Sequence, residues 1–151
     1  MISQKTKYAL KALMVLGDQR ARGGPPLRIE EIARLSGAPK RFLEHILLDI
    51  RNAGIIASTR GRTGGYALTR EPSQVSVSEL LRLIDGPMAP LQCLSRKAYQ
   101  RCEDCTDEET CRIRRVFAEV FWSYLVMIDS LTLSDILRSG APPAPPRTAG
   151  G

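Results

Sequence analysis

Apolar positions in the first third of the chain repeat at helical spacing and are interrupted twice by breakers. From about Gln4 to Arg20, Tyr8, Leu10, Leu13, Met14 and Leu16 form a helical stripe, with Ser3 placed to cap its start. Arg22-Gly23-Gly24-Pro25-Pro26 ends it. A shorter helix is expected from Ile29 to Leu35, with Ile29, Ile32, Ala33 and Leu35 facing inward; Arg28 is a poor cap for it, and Ser36-Gly37-Ala38 closes it. Pro39 suits the first position of a third helix that runs to about Ala53. Its buried stripe is Phe42, Leu43, Ile46, Leu47 and Ile50, which leaves Lys40, Arg41, Glu44, His45, Asp49 and Arg51 facing out. Gly54 fits a left-handed cap.

The pattern then changes. Ile55 to Arg60 reads as a strand, Gly61-Arg62-Thr63-Gly64-Gly65 as a glycine-rich turn, and Tyr66 to Thr69 as the returning strand. Two helices around a glycine-containing turn, followed by a basic hairpin, describe a helix-turn-helix with a wing. In that arrangement Arg60 and Arg62 reach phosphates or the minor groove. Ser76-Val77-Ser78-Glu79 reads as a capping box opening a helix through Leu80, Leu81, Leu83 and Ile84, which Gly86-Pro87 stops.

A long helix is expected from about Thr110 to Leu131. Ile113, Phe117, Val120, Tyr124, Met127 and Leu131 recur at alternating steps of four and three, the spacing of a coiled-coil seam. Val116, Phe121, Leu125 and Ile128 widen the stripe. A helix apolar over so much of its surface packs on more than one neighbour. A domain this small hardly covers two faces, so the pattern points to a homodimer. Thr132-Leu133-Ser134-Asp135 is a second capping box, leading into Ile136 and Leu137. The fold class is therefore mainly α with a small β-hairpin wing. Residues 1–86 form a winged helix-turn-helix DNA-binding domain, 87–111 a cysteine-rich cofactor loop, and 112–138 a dimerisation helix with a short C-terminal helix. The tail over 139–151, with Pro142-Pro143-Ala144-Pro145-Pro146, is expected to be disordered.

Charge supports the first of these units. The net charge is +6 over 151 residues. Residues 1–70 carry 13 Lys/Arg against 5 Asp/Glu, whereas residues 71–151 carry 9 against 11. A basic N-terminal half suits a polyanion, here double-stranded DNA. No apolar run approaches the roughly 20 residues of a membrane span, and the N-terminus has no leader-like apolar stretch, so a cytoplasmic protein with reduced thiols is expected.

All four cysteines fall within 19 residues, as Cys93, Cys102, Cys105 and Cys111 with the spacing C-x8-C-x2-C-x5-C. Thiolates are the ligands that iron–sulfur clusters and zinc select. The surrounding segment is polar, with Arg96, Lys97 and Arg101 against Glu103, Asp104, Asp107, Glu108 and Glu109. It could form little core unaided, and a bound metal centre would supply the missing folding energy. The one histidine, His45, reads as an exposed residue of the third helix. With no cysteine–histidine constellation, phosphate loop or nucleotide fingerprint, an enzyme is not indicated.

These residues resemble the Rrf-type winged-helix regulators from about Ser3 to Leu137. The resemblance rests on Lys7-Tyr8-Ala9, on Phe42-Leu43-Glu44 with Leu47, and on Arg60-Gly61…Gly64-Gly65-Tyr66. It continues through Val77…Glu79-Leu80, the cysteine loop and Thr132-Leu133-Ser134-Asp135. It implies a homodimeric transcriptional regulator, in most cases a repressor, on a roughly palindromic operator. It also implies DNA contacts at Ser3, Lys5, Lys7, Lys40, Arg41, Glu44, Arg60 and Arg62, with Glu44 as a base discriminator.

The resemblance further implies an iron–sulfur cluster, sensing iron, redox state or nitric oxide, on Cys93, Cys105 and Cys111. Cys102 is additional to that pattern. Arg114 stands where the family's iron–sulfur regulator has a histidine ligand. A fourth thiolate from Cys102 slightly favours a 4Fe–4S over a 2Fe–2S cluster. Structural zinc and a cluster-free thiol switch remain alternatives at the same cysteines.

Overall fold

Ser3 opens the first helix through its side chain, its hydroxyl accepting from the Thr6 N–H at 3.0 Å. The computed structural model describes residues 2–140, and the proline-rich stretch expected to be disordered lies outside them. The elements are α1 (Gln4–Ala21), α2 (Ile29–Ser36), α3 (Lys40–Asn52), β1 (Ile56–Thr59), β2 (Gly65–Leu68), α4 (Val77–Asp85), α5 (Arg112–Ser130) and α6 (Leu133–Arg138). Single 3-10 turns occur at Pro72–Gln74 and Gln92–Leu94. The order is helix, helix-turn-helix, hairpin, helix, loop, long helix and short helix, the mainly helical fold with a wing that the sequence leads one to expect.

The main core joins α1, α2, α3, the hairpin, α4 and α6 through Ala9, Leu13, Leu16, Ile32, Leu43, Ile46, Leu47, Ile50, Ile55, Leu80 and Leu133. Three residues of the stripes expected for α1 to α3 are not in it, and Met14, half-buried on α1, is the first. Leu35 is exposed, because the inward stripe of α2 is Ile29, Ile32 and Ala33 and Leu35 turns away from it. Phe42 is also exposed, at the edge of the α3 stripe, where its ring lies 5.6 Å from that of Tyr8 and under the Arg41 guanidinium.

Two helix starts also differ from expectation. Pro39 caps α3 rather than beginning it, a difference of one residue. The capping box at Ser76 does not form. The Glu79 carboxylate is taken by Arg70 at 2.8 and 3.2 Å, and the Ser76 hydroxyl sits 2.8 Å from that of Ser78. A two-pronged ion pair outcompetes a single bond to a backbone amide. The second box is present, with Thr132 and Asp135 bonding each other's backbone N–H groups at the start of α6.

The far end of α5 is tied to this core. Val77 donates its N–H to Leu131 O at 2.9 Å, and Leu133 donates to Val75 O at 2.8 Å. The α6 helix then turns back on α1. Leu137 fills the space over Gly17, where a Cβ would come within 2.7 Å of a Leu137 methyl. The inner face of α5 rests on α4 through Ile128 with Val77 and Leu81, and on the 91–94 turn through Phe121 with Cys93 and Leu94. An Arg82–Asp129 ion pair at 3.2 Å adds to the α4–α5 contact.

Candidate nucleic-acid interface and cysteine loop

The candidate DNA contacts lie on three elements: the start of α1, the start of α3 and the hairpin. Lys5 and Asp49 pair at 3.4 Å, linking α1 to α3, and Lys40 pairs with Glu30 at 2.8 Å, linking α3 to α2. Its hydrogen bond to Lys40 holds the Glu30 carboxyl below its ordinary value, and the same bond raises Lys40. All four side chains are at least 40% exposed, so water screens both pairs and neither adds much stability. Either lysine can leave its partner for a phosphate at little cost. Lys7, Arg41 and Glu44 are exposed.

Ser3 is placed differently. Its hydroxyl and N–H both donate to Asp85 at the end of α4. Partial burial raises the Asp85 carboxyl, but the Ser3 bonds and the nearby Lys5 charge outweigh that and hold it below its ordinary value. The Ser3 side chain thus fastens α1 to α4 as well as capping α1.

The hairpin's geometry explains its glycines. Gly65 has φ +149°, and a Cβ there would lie 2.5 Å from the Leu27 carbonyl oxygen. Leu27 pairs with Tyr66 through reciprocal backbone bonds of 3.0 and 2.7 Å, a single-residue bridge that ties the segment before α2 to the wing. At Gly64 a Cβ would meet the Thr59 carbonyl oxygen at 2.4 Å. These close approaches exclude side chains and leave Arg60 and Arg62 exposed at the tip. Arg28 joins them, its guanidinium donating to the Arg62 carbonyl at 3.1 Å. The sequence gives no sign of this third arginine, because 34 residues separate the two positions.

The cysteines sit between the winged domain and α5. Cys93 is buried in the Gln92–Leu94 turn against Phe121. Cys102 is exposed and Cys105 partly so, in a tight turn closed by a bond from Cys105 N–H to Cys102 O at 3.2 Å. Although Cys102 is exposed, partial desolvation, then the neighbouring Cys93 thiol with Asp104 and Cys105, push its thiol above the ordinary value.

Cys111 caps α5, its sulfur accepting from the Arg114 N–H at 3.4 Å. The sequence reading places this helix start at about Thr110, two residues before Arg112, and cysteine is not among the usual caps. No side chain from Arg96 to Cys111 is fully buried. Among the described residues, no group of three or more His, Cys, Asp or Glu side chains converges as a single-ion site.

Residues 2–139 match the Rrf2 family, described as an iron-dependent transcriptional regulator. The chain belongs to the Rrf2 family. It is 68% identical over 145 residues to an rrf2-like HTH-type transcriptional regulator of Rhodobacter capsulatus, with 95% of this chain and 97% of the relative covered. It is 31% identical to the HTH-type transcriptional regulator CymR of Bacillus subtilis, covering 89% of this chain and 88% of CymR.

The solved structure of B. subtilis CymR, described as a global cysteine regulator, superposes with a TM-score of 0.71 at 26% identity, covering 91% of this chain and 95% of CymR. That of IscR from T. potens gives 0.69 at 26% identity, with 91% of this chain and 86% of IscR covered. This Rrf2 protein is a transcriptional regulator rather than an enzyme. No helix among its described residues is long and apolar enough to cross a membrane.

Proposed function

We propose that this Rrf2 protein binds a roughly palindromic operator as a homodimer and that its 93–111 loop senses iron, redox state or nitric oxide through a cysteine-held iron–sulfur cluster. The carrying observation is the placement of the four thiols. They occupy a segment with no core of its own, between the winged domain and a long helix with one apolar face uncovered. Ile113, Phe117, Val120, Tyr124 and Met127 on α5, with Leu131 at its C-cap, are all exposed, at 63% for Ile113 and 70% for Met127. A continuous exposed apolar stripe of this kind is suited to a second copy.

Cys93, Cys105 and Cys111, with Cys102 as fourth ligand, offer an all-thiolate set. Cys111 sits at the α5 N-terminus, its sulfur accepting from the Arg114 N–H, and Cys102 lies beside Cys93. No residue of the 96–110 segment is fully buried, so little packing opposes its closing round a cluster. When bound, such a cluster exchanges electrons and reacts with oxidants or nitric oxide. The family description as iron-dependent supports this reading.

The protein's own residues do the rest. Lys5, Lys7, Lys40 and the wing arginines hold phosphates. Arg41 and Glu44 face the groove edge, where the Glu44 carboxylate accepts from a cytosine amino group. The α5 helix carries any rearrangement of the loop toward α4 through Ile128, Phe121 and the Arg82–Asp129 pair.

Anaerobic purification followed by a UV–visible spectrum with iron, sulfide and zinc analysis tests the cofactor. A brown protein containing iron and sulfide is expected. A colourless protein with one zinc per chain would replace the cluster by a structural metal, and a metal-free protein would leave a thiol switch.

A further inference from the structure

A cavity of about 750 Å³ opens beside the cysteine loop. Its floor is apolar, formed by Met88, Leu94, Phe121 and Leu125, and its volume falls within the roughly 300–1,000 Å³ of sites that take small organic molecules. Its rim is cationic. Arg82, Arg96 and Lys97 line it, against the single carboxylate of Asp129, which Arg82 already neutralises at 3.2 Å. Among the described residues neither Arg96 nor Lys97 takes part in an ion pair. The Arg96 guanidinium lies 5.1 Å over the Trp122 ring, which is itself 5.3 Å from Phe121. Two aromatic rings beside unpaired cations form a surface for a flat apolar body with an anionic head.

We propose that this cavity binds a small aromatic anion, a carboxylate or sulfonate, whose ring lies against Phe121 and Trp122 and whose charge meets Arg96 and Lys97. The site does not compete with the face of α5 suited to a second copy. Trp122 and Val126 stand two residues from Val120 and Tyr124, about 200° round the helix, so a partner on that face leaves the mouth open. The cavity shares the 94–97 turn with the segment that follows Cys93, so its occupant and the cysteine loop act on the same backbone.

Trp122 is the only tryptophan in the chain, which makes it a local reporter. The full-length protein is titrated with 1-anilinonaphthalene-8-sulfonate and, in parallel, with N-phenyl-1-naphthylamine, the same ring system without the charge. Energy transfer from Trp122 reports position, and calorimetry reports stoichiometry. Saturable binding of one sulfonate per chain is expected. The double change Arg96→Glu and Lys97→Glu, at two exposed positions, should weaken the sulfonate at least about tenfold and the neutral probe by less than about twofold.

Ala89→Phe, which fills the cavity, should abolish both signals. Sulfonate affinity unchanged by the charge reversal would place the probe on the bare α5 face and overturn the proposal. So would the absence of transfer from Trp122, the result expected if a second copy occupies the cavity.

Discussion

Arg60 is exposed at the wing tip and, among the described residues, in no ion pair. Arg60→Ala is expected to weaken binding to a duplex selected from a random pool by the wild-type protein, and to lower the salt dependence of that binding by about one unit. A titration across salt concentrations reads both, and an unchanged slope removes Arg60 from the interface. Asp85 gives a pH signature. Its folded-state carboxyl is held low chiefly by Ser3, against the opposing effect of burial, so its stabilisation is present above the unfolded value and lost as pH falls through the folded one. Asp85→Asn should therefore lower the melting temperature at neutral pH and converge on wild type in acid, as thermal melts at the two pH values would show. Equal offsets at both would mean that the Ser3 bonds do not depend on the carboxylate's charge.

At the scale of the element, the hairpin and α5 carry the sharpest expectations. Gly65 combines positive φ with a backbone oxygen 2.5 Å from any Cβ. Gly65→Ala should cost about 1–3 kcal/mol in denaturant melts, because neither the Leu27 backbone nor the strand can give way cheaply. A cost near zero would show that the Leu27–Tyr66 pairing is dispensable. On α5, Tyr124→Glu with Met127→Glu should yield folded monomers in sedimentation analysis, since neither residue belongs to the cores that hold α5 to its own chain. A surviving dimer would move the interface elsewhere. The apolar stripe of this helix was legible in the sequence as one broad band. The structure divides it into an inner face of Phe121, Leu125 and Ile128 and an outer face of the seam residues. Periodicity shows which residues share an angle on a helix, but not which angle its own domain covers.

For the whole molecule the expectation concerns coupling. The cysteine loop touches α5, and α5 is held to the winged domain at its far end by the Val77–Leu131 and Val75–Leu133 bonds. A coupling of about 1–3 kcal/mol along that path would change operator affinity roughly 5–150-fold between cluster-loaded and cluster-free protein. Fluorescence anisotropy before and after iron chelation measures it. Identical affinities would leave the loop without influence on DNA binding.

The sequence by itself determined the order of elements, the wing, most of the core stripes of α1 and α3 and the confinement of the four cysteines to one 19-residue segment. Each of these is a local matter of spacing, breakers and residue type. The tertiary structure decided what depends on residues distant in the chain. Glu79 abandons its cap for Arg70, Ser3 is drawn to Asp85, Arg28 joins the wing, and Leu133 enters the main core. In each case the partner lies far away in the sequence, and only the folded geometry brings it within reach.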